Sequence, residues 1–271
     1  MSALEPDPIL HRAADAARAA YVRARESYGR EALAESVGIG ADGTPTMRID
    51  ELVEGAILRE LDGVAVNVLS EESGWIDRGA SVSLVMDPLD GSANAAAGVP
   101  LTAFAAAISL DGVLTESLTV WLDTGRSWWA HREVPSAFRT SGRRELDGAA
   151  VSLLRPHPGQ PSAAAWWAVA TAASRVRILS SSCLEAALVA EGATDGFADA
   201  CTDTHRLVDL AAAVVLVAAA GGVVCDVLGR PLTVSPDLTR RWSGVVAATP
   251  QLADELVDTL RKATAPTGVA S

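Results

Sequence analysis

The chain predicts an α+β fold with helices layered on sheets, and three observations carry that expectation. Two amphipathic helical stretches precede a run of strand-length apolar segments joined by Asp-Gly and Asp-Thr-Gly turn signals. The second half instead alternates strand and helix. At 271 residues, with 49% hydrophobic and 21% charged residues, the chain is long and apolar enough for one large core or two intimate ones.

Each element follows from local pattern. Residues 7–30 place Ile9, Ala13, Ala16 and Ala20 on one side and Arg12, Arg18 and Arg23 elsewhere, which predicts a helix; a second is predicted over 50–61. Strands are expected at 64–69, 82–87 and 102–110, with Asp111-Gly112 turning into 113–121 and Asp123-Thr-Gly125 into 127–132. There follow a strand near 149–154, a helix 161–173, a strand 175–179, a helix 183–192, a strand 196–199, a helix 207–220 and a strand 223–227. The helix over 207–220 is apolar all round and therefore expected to be buried. The change of pattern divides the chain into an N-terminal half, 1–145, and a C-terminal half, 146–271.

Charge narrows the function classes. Twenty-two basic against 34 acidic residues give a net −12, which disfavours a nucleic-acid partner. Cys183, Cys201 and Cys225 show no metal-type spacing, and an odd number suits a reducing cytoplasm. No charged-then-apolar signal pattern opens the chain, and the uncharged stretches Gly91–Leu110 and Leu210–Cys225 read as core, so no membrane role is expected. His11, His131, His157 and His205 lack metal-ligand spacing, although His205 lies one turn before Asp209. The seven tryptophans are scattered and read mostly as core, with any exposed ones able to form a subunit contact.

The chemistry concentrates in Asp87-Pro-Leu-Asp90-Gly-Ser92. The apolar run Val82–Met86 ends there, so two carboxylates emerge at a strand exit. Pro88 fixes its own φ and Gly91 removes bulk, letting the loop aim both acids and the Leu89 carbonyl at one point. Hard cations such as Mg²⁺ take oxygen ligands of this kind. Ser92-Ala-Asn-Ala-Ala-Ala-Gly98 then predicts a short helix with Ser92 as N-cap, its N-terminus facing the acids as a phosphate site. Upstream, Glu71 and Glu72 leave another strand; downstream, Asp209 opens the buried helix.

Ser-Glu-Glu-Ser-Gly, Met-Asp-Pro-Leu-Asp-Gly-Ser-Ala-Asn and Val-Asp-Leu-Ala-Ala-Ala before Ala-Gly-Gly, in this order and spacing, resemble the three-part signature of the inositol monophosphatase superfamily of Mg²⁺-dependent, lithium-sensitive phosphatases. Gly40–Asp50 and Leu69–Asp77 are most similar to its archaeal-type branch, whose members often accept both inositol monophosphate and fructose 1,6-bisphosphate. The resemblance implies the five-layered αβαβα fold. It further implies that Glu71, Asp87 and the Leu89 carbonyl hold one Mg²⁺ while Asp87, Asp90 and Asp209 hold a second, with Glu71 facing a weaker third. Asp50 and Ser92 would orient the attacking water, and the Gly91 and Ser92 amides would bind phosphate. Asp90, Glu72, Ser182 and Asp199 would lie toward the substrate, and Arg206 would anchor a second phosphate. A cytoplasmic homodimer is the expected assembly, since members are commonly homodimers.

Charge arithmetic agrees. Four gathered carboxylates and a phosphate monoester carry about six negative charges together, so two or three divalent cations are needed before substrate can enter. A haloacid-dehalogenase-type phosphatase also places acids after a strand, but one residue apart rather than two, and works through an aspartyl-phosphate. A non-catalytic sugar-phosphate-binding regulator is the alternative outside enzymes. Within them, an aminocyclitol, nucleoside-type or histidinol phosphate is the alternative substrate, and adenosine 3′,5′-bisphosphate is disfavoured because Ala93 stands where that branch has Lys.

Overall fold

The computed structural model describes residues 5–156 and 161–264, and its layers follow the alternation of the strands. Two helices, α1 (Pro8–Ser27) and α3 (Arg48–Glu60), flank a short α2 (Arg30–Leu33) and a hairpin of β1 (Ser36–Ile39) and β2 (Pro45–Met47). The following strands are β3 (Asn67–Ser70), β4 (Gly74–Ile76), β5 (Val82–Asp90), β6 (Ala103–Leu110), β7 (Val113–Trp121) and β8 (Ser127–His131), with α4 (Ser92–Ala97) after β5. They form one sheet in the order β4-β3-β5-β6-β7-β8, antiparallel except where β3 runs parallel to β5. Beyond it come β9 (Ala150–Leu153), α5 (Pro161–Ala172), β10 (Arg175–Arg177), α6 (Ser182–Ala190), β11 (Gly196–Ala198), α7 (Leu207–Ala219), β12 (Val223–Asp226), β13 (Gly244–Ala247) and α8 (Pro250–Thr264). Their five strands make a second sheet, β10-β9-β11-β13-β12.

Side chains alternate faces along a strand, so each sheet serves two cores. Leu84, Met86, Phe104, Ala106 and Ile108 pack with α1 and α3, whereas Val85, Ala103, Ala105 and Ala107 face the core around α6 and α7. Those alanines are small enough to let α7 lie close against the sheet. A third core joins the outer face of the second sheet to α5 and α8. The stack is helix, sheet, helix, sheet, helix, and α7 is buried along most of its length, as its uniform apolarity predicts.

Several expectations need correction. The helix N-cap after β5 is Gly91 at φ +86°, not Ser92, whose hydroxyl instead donates to the Leu89 carbonyl at 3.1 Å. A side chain at Gly91 would meet the Leu101 carbonyl oxygen at 2.8 Å, so glycine is required by space as well as by φ. The first predicted strand begins later, at Asn67. The β1–β2 hairpin, β4, β13 and α8 had no counterpart in the sequence reading. Of the histidines, His157 lies outside the described residues. No helix among the described residues is long and apolar enough to cross a membrane.

Candidate active site

Two strand ends and one helix start converge here. The parallel register sets Ser70 opposite Met86, so Glu71 and Asp87 leave β3 and β5 side by side. Asp87 continues the face of Val85, toward α7. Pro88 has no amide to give, and the β5–β6 register shifts between Asp87 and Asp90, which frees this stretch from the ladder. From the other side, Asp209 is the third residue of α7, and its Oδ2 accepts the Arg206 amide at 2.5 Å. Asp50 repeats that arrangement at the third position of α3, accepting the Met47 amide at 3.0 Å. Such a carboxylate satisfies a free helix amide and is thereby fixed in direction.

Carboxylate oxygens of Glu71, Asp87 and Asp209 all lie within 4.8 Å of one another. Burial pushes Glu71 up to about 8, with Asp209 adding to the rise and the Arg206 guanidinium opposing it. Burial likewise raises Asp87 well above the usual carboxylate range, aided by Glu71, Asp90 and Asp209. Burial opposes ionisation of Asp209 too, yet Arg206 wins and holds it low. That guanidinium bonds Asp209 Oδ1 at 2.7 Å, Asp42 Oδ2 at 2.8 Å and Glu71. One cation thus faces three carboxylates and leaves Asp87 uncompensated. The donors are all hard oxygens, and Asp87 Oδ1 already accepts the Leu89 amide at 3.1 Å. This set fits a hard divalent cation.

Asp90 is held differently. Its Oδ2 accepts from Ser181 Oγ at 2.6 Å and the Cys183 amide at 2.8 Å, and its Oδ1 accepts the Ser182 amide at 3.1 Å. Asp90 is therefore a cap, supplied from another part of the chain, for the N-terminus of α6. Oδ2 accepts two bonds and Oδ1 one, with the Leu184 amide also close to the carboxylate, so Oδ1 is the less encumbered oxygen for a metal. Burial places its pKa at about 6 despite these bonds.

Asp50 is also pushed to about 6 by burial, with the Ser92 hydroxyl and the Met47 amide opposing. One Ser92 proton thus has two acceptors in reach, Asp50 and the Leu89 carbonyl. Glu72 sits at about 7, raised by burial and opposed by the Thr46 hydroxyl that binds it. Ser182 contributes its amide to Asp90 rather than its side chain to the cleft. Asp199 is not at the cleft surface: wholly buried, it accepts the Thr202 and Thr204 amides at 2.8 Å each and shapes the turn that presents them. His205 is structural as well, its Nδ1 accepting the Gly244 amide at 3.2 Å and its ring edge-on to Phe197. Cys183 does approach the acids, within 4.8 Å of Asp87 and Asp90, contrary to the expectation of no metal-type grouping. Burial raises its pKa, however, and its Sγ donates to the Asp209 carbonyl at 3.4 Å, and a soft sulfur is a poor ligand for a hard cation such as Mg²⁺.

A cleft of about 450 Å³ opens beside these acids, lined by Asp42, Thr44, Glu71, Thr202, Asp203, Thr204, Arg206 and Arg241. A larger hollow of about 530 Å³ between α1 and α3 contains no comparable cluster. Asp42, Arg241 and Ser181 are absent from the sequence-predicted set. The docking of Asp42 on Arg206 spans 164 residues and no local pattern encodes it.

The comparisons agree with this geometry. The model of the inositol monophosphatase family matches residues 5–265. A Thermococcus kodakarensis fructose-1,6-bisphosphatase/inositol-1-monophosphatase is 30% identical, covering 86% of this chain and 90% of its own. The inositol-1-monophosphatase ImpA of Mycolicibacterium smegmatis is 28% identical over 80% of each chain. Among solved structures, the extragenic suppressor protein suhB from Bartonella henselae superposes with a TM-score of 0.79 at 26% identity, covering 94% of this chain and 97% of that one. With acids from β3, β5 and α7 meeting beside α4 and the family model matching from end to end, this chain belongs to the inositol monophosphatase family of metal-dependent phosphate monoester hydrolases.

Proposed function

We propose that this protein uses Mg²⁺, as two or three ions, to hydrolyse the phosphate monoester of a small polyol or sugar, inositol 1-phosphate and fructose 1,6-bisphosphate being the first substrates to test. The carrying observation is the convergence of Glu71, Asp87 and Asp209 within 4.8 Å, beside the start of α4. Glu71, Asp87 and the Leu89 carbonyl would hold one ion, and Asp87, Asp209 and Asp90, through Oδ1, another. When bound, the ions supply charge neutralisation, a water of lowered pKa and support for the leaving oxygen. Asp50 and Ser92 would take and orient that water's proton. The Gly91 and Ser92 amides would hold phosphate oxygens, and an in-line attack would need no side-chain nucleophile.

Thr44, Thr202, Thr204 and Asp203 offer hydroxyls and a carboxylate to a polyol leaving group in the cleft. Arg206 lines the same cleft and could meet a second phosphate, although its guanidinium is bonded to Asp42, Glu71 and Asp209. The halves 1–145 and 146–271 act in this reading as two sides of one site. Lithium sensitivity and a cytoplasmic homodimer complete it; exposed Trp75 and Trp167 are candidate contact residues, and light scattering on the purified protein decides the assembly. A screen of phosphomonoesters with Mg²⁺, read as phosphate release, tests the function: hydrolysis of polyol phosphates supports it, and Mg²⁺-independent or absent release refutes it.

A further inference from the structure

The turn Leu179-Ser180-Ser181 is where the two sheets' halves meet at the acids, and it is held from opposite sides by two residues without a role so far. Ser180 takes a left-handed φ of +57°, a conformation that a non-glycine residue keeps only under constraint. On one side, Asn94 in α4 donates through its single Nδ2 to the Leu179 carbonyl at 2.8 Å, the Leu101 carbonyl at 2.9 Å and the Ser180 carbonyl at 3.3 Å. On the other, Glu185 in α6 accepts the Leu179 amide on Oε1 at 3.2 Å. Glu185 is wholly buried, and its Oε2 finds no partner among the described residues. A carboxylic group is costly to bury, and this one bonds the Leu179 amide with the Ser181 amide and Ser152 hydroxyl close by, so its hold on the turn is the feature to explain.

What the turn delivers is Asp90's environment. Ser181 Oγ and the Ser182 and Cys183 amides follow directly from it and bond the Asp90 carboxylate, two on Oδ2 and one on Oδ1. We infer that Asn94 and Glu185 are positioning residues for metal binding: by fixing the 179–181 turn they lock the Asp90 carboxylate so that Oδ1, its less encumbered oxygen, faces the metal site. This inference rests on the metal-dependent reading of the site. Side chains that orient a metal ligand commonly affect affinity by about 10- to 100-fold when removed.

The test is calorimetric titration of Mg²⁺, or of Mn²⁺ on the same oxygens, into the wild type and into Asn94→Ala, Glu185→Met and Glu185→Gln, well below each melting temperature. Loss of either clamp, in Asn94→Ala or Glu185→Met, is expected to weaken cation binding by about tenfold. Glu185→Gln keeps an oxygen for the Leu179 amide and is expected to stay within about twofold of wild type. Ser181→Ala removes the delivered bond itself, so Asn94→Ala combined with Ser181→Ala should lose less than the product of the single losses. Unchanged affinity in folded Asn94→Ala, or Glu185→Gln as weak as Glu185→Met, overturns the inference; should Glu185→Met not fold, partly exposed Asn94 alone decides it. Wild type that binds the cation but releases no phosphate would instead refute the proposed function and leave this comparison intact.

Discussion

Ser181 Oγ lies 2.6 Å from Asp90 Oδ2, joining residues 91 apart in sequence and tying the start of α6 to the end of β5. Asp90 thereby has a structural duty that its neighbour Asp87 lacks. Asp90→Asn would turn an NH₂ toward donors it cannot accept from, and an unsatisfied buried donor costs about 1–3 kcal/mol. Asp87→Asn removes a carboxyl whose ionisation is opposed by burial first and by Glu71, Asp90 and Asp209 next, so in chelator its stability should equal or exceed wild type. Urea unfolding of both variants in EDTA checks the contrast; a less stable Asp87→Asn would contradict it.

Ser92 should affect turnover more than binding. Its side chain serves Asp50 and the Leu89 carbonyl, whereas phosphate would meet its backbone. Ser92→Ala is therefore expected to lower kcat more than it raises KM, and to cost about 1 kcal/mol through the lost hydrogen bond rather than a lost cap. Ser92→Thr, which retains a hydroxyl, should be nearly silent. Steady-state kinetics with equal changes in kcat and KM would place the water elsewhere.

Arg206 offers a sharper outcome than an anchor for a second phosphate alone would. Removing it leaves Glu71 and Asp209 without their guanidinium and Asp42 with Arg241 alone, and breaking a buried ion pair from one side costs about 3–5 kcal/mol. Arg206→Ala should lose stability and reduce hydrolysis of inositol 1-phosphate and fructose 1,6-bisphosphate in parallel. Loss confined to the bisphosphate, with stability intact, would show that the guanidinium acts on substrate only.

In chelator, stability should fall as pH rises from about 4.5 to about 8. Glu71 is raised from 4.5 to about 8, so the folded chain holds its proton where the unfolded chain has lost it. Stability from such a group is complete below the unfolded pKa and is lost as pH climbs through the folded one, by at most about 1.4 kcal/mol per pH unit. Asp209 and Asp42 are lowered and act oppositely, only in more acidic solution. Mg²⁺ should reverse the decline and release protons near pH 7. A melting temperature in EDTA that is flat or rising from pH 5 to 8 would contradict the burial of these acids.

Much of this was legible in the chain because it is local. The exit of Val82–Met86 into Asp87, the all-round apolarity of α7 and the Asp-Gly turn between β6 and β7 are each written within a dozen residues. The helix α8 was legible too, since Pro250 opens it and Leu252, Leu256 and Leu260 form a buried stripe, yet the sequence reading passes over it. What escaped is mostly non-local. The resemblance sets Ser182 toward the substrate, and only the fold shows that Ser181, Ser182 and Cys183 donate to Asp90. The family resemblance places Asp199 toward the substrate, whereas here Thr202 and Thr204 fold back onto it. The β1–β2 hairpin is too short for periodicity to reveal and is held by Arg206 and Arg241 from the far end of the chain.

The most direct test is phosphate release from inositol 1-phosphate by wild type and Asp87→Asn, each with saturating Mg²⁺ and with EDTA. Wild type should turn over only with Mg²⁺, and Asp87→Asn should be lower by several orders of magnitude, with Glu72→Gln losing far less. Release by Asp87→Asn near the wild-type rate, or by wild type in EDTA, would contradict an active site built on Glu71, Asp87 and Asp209.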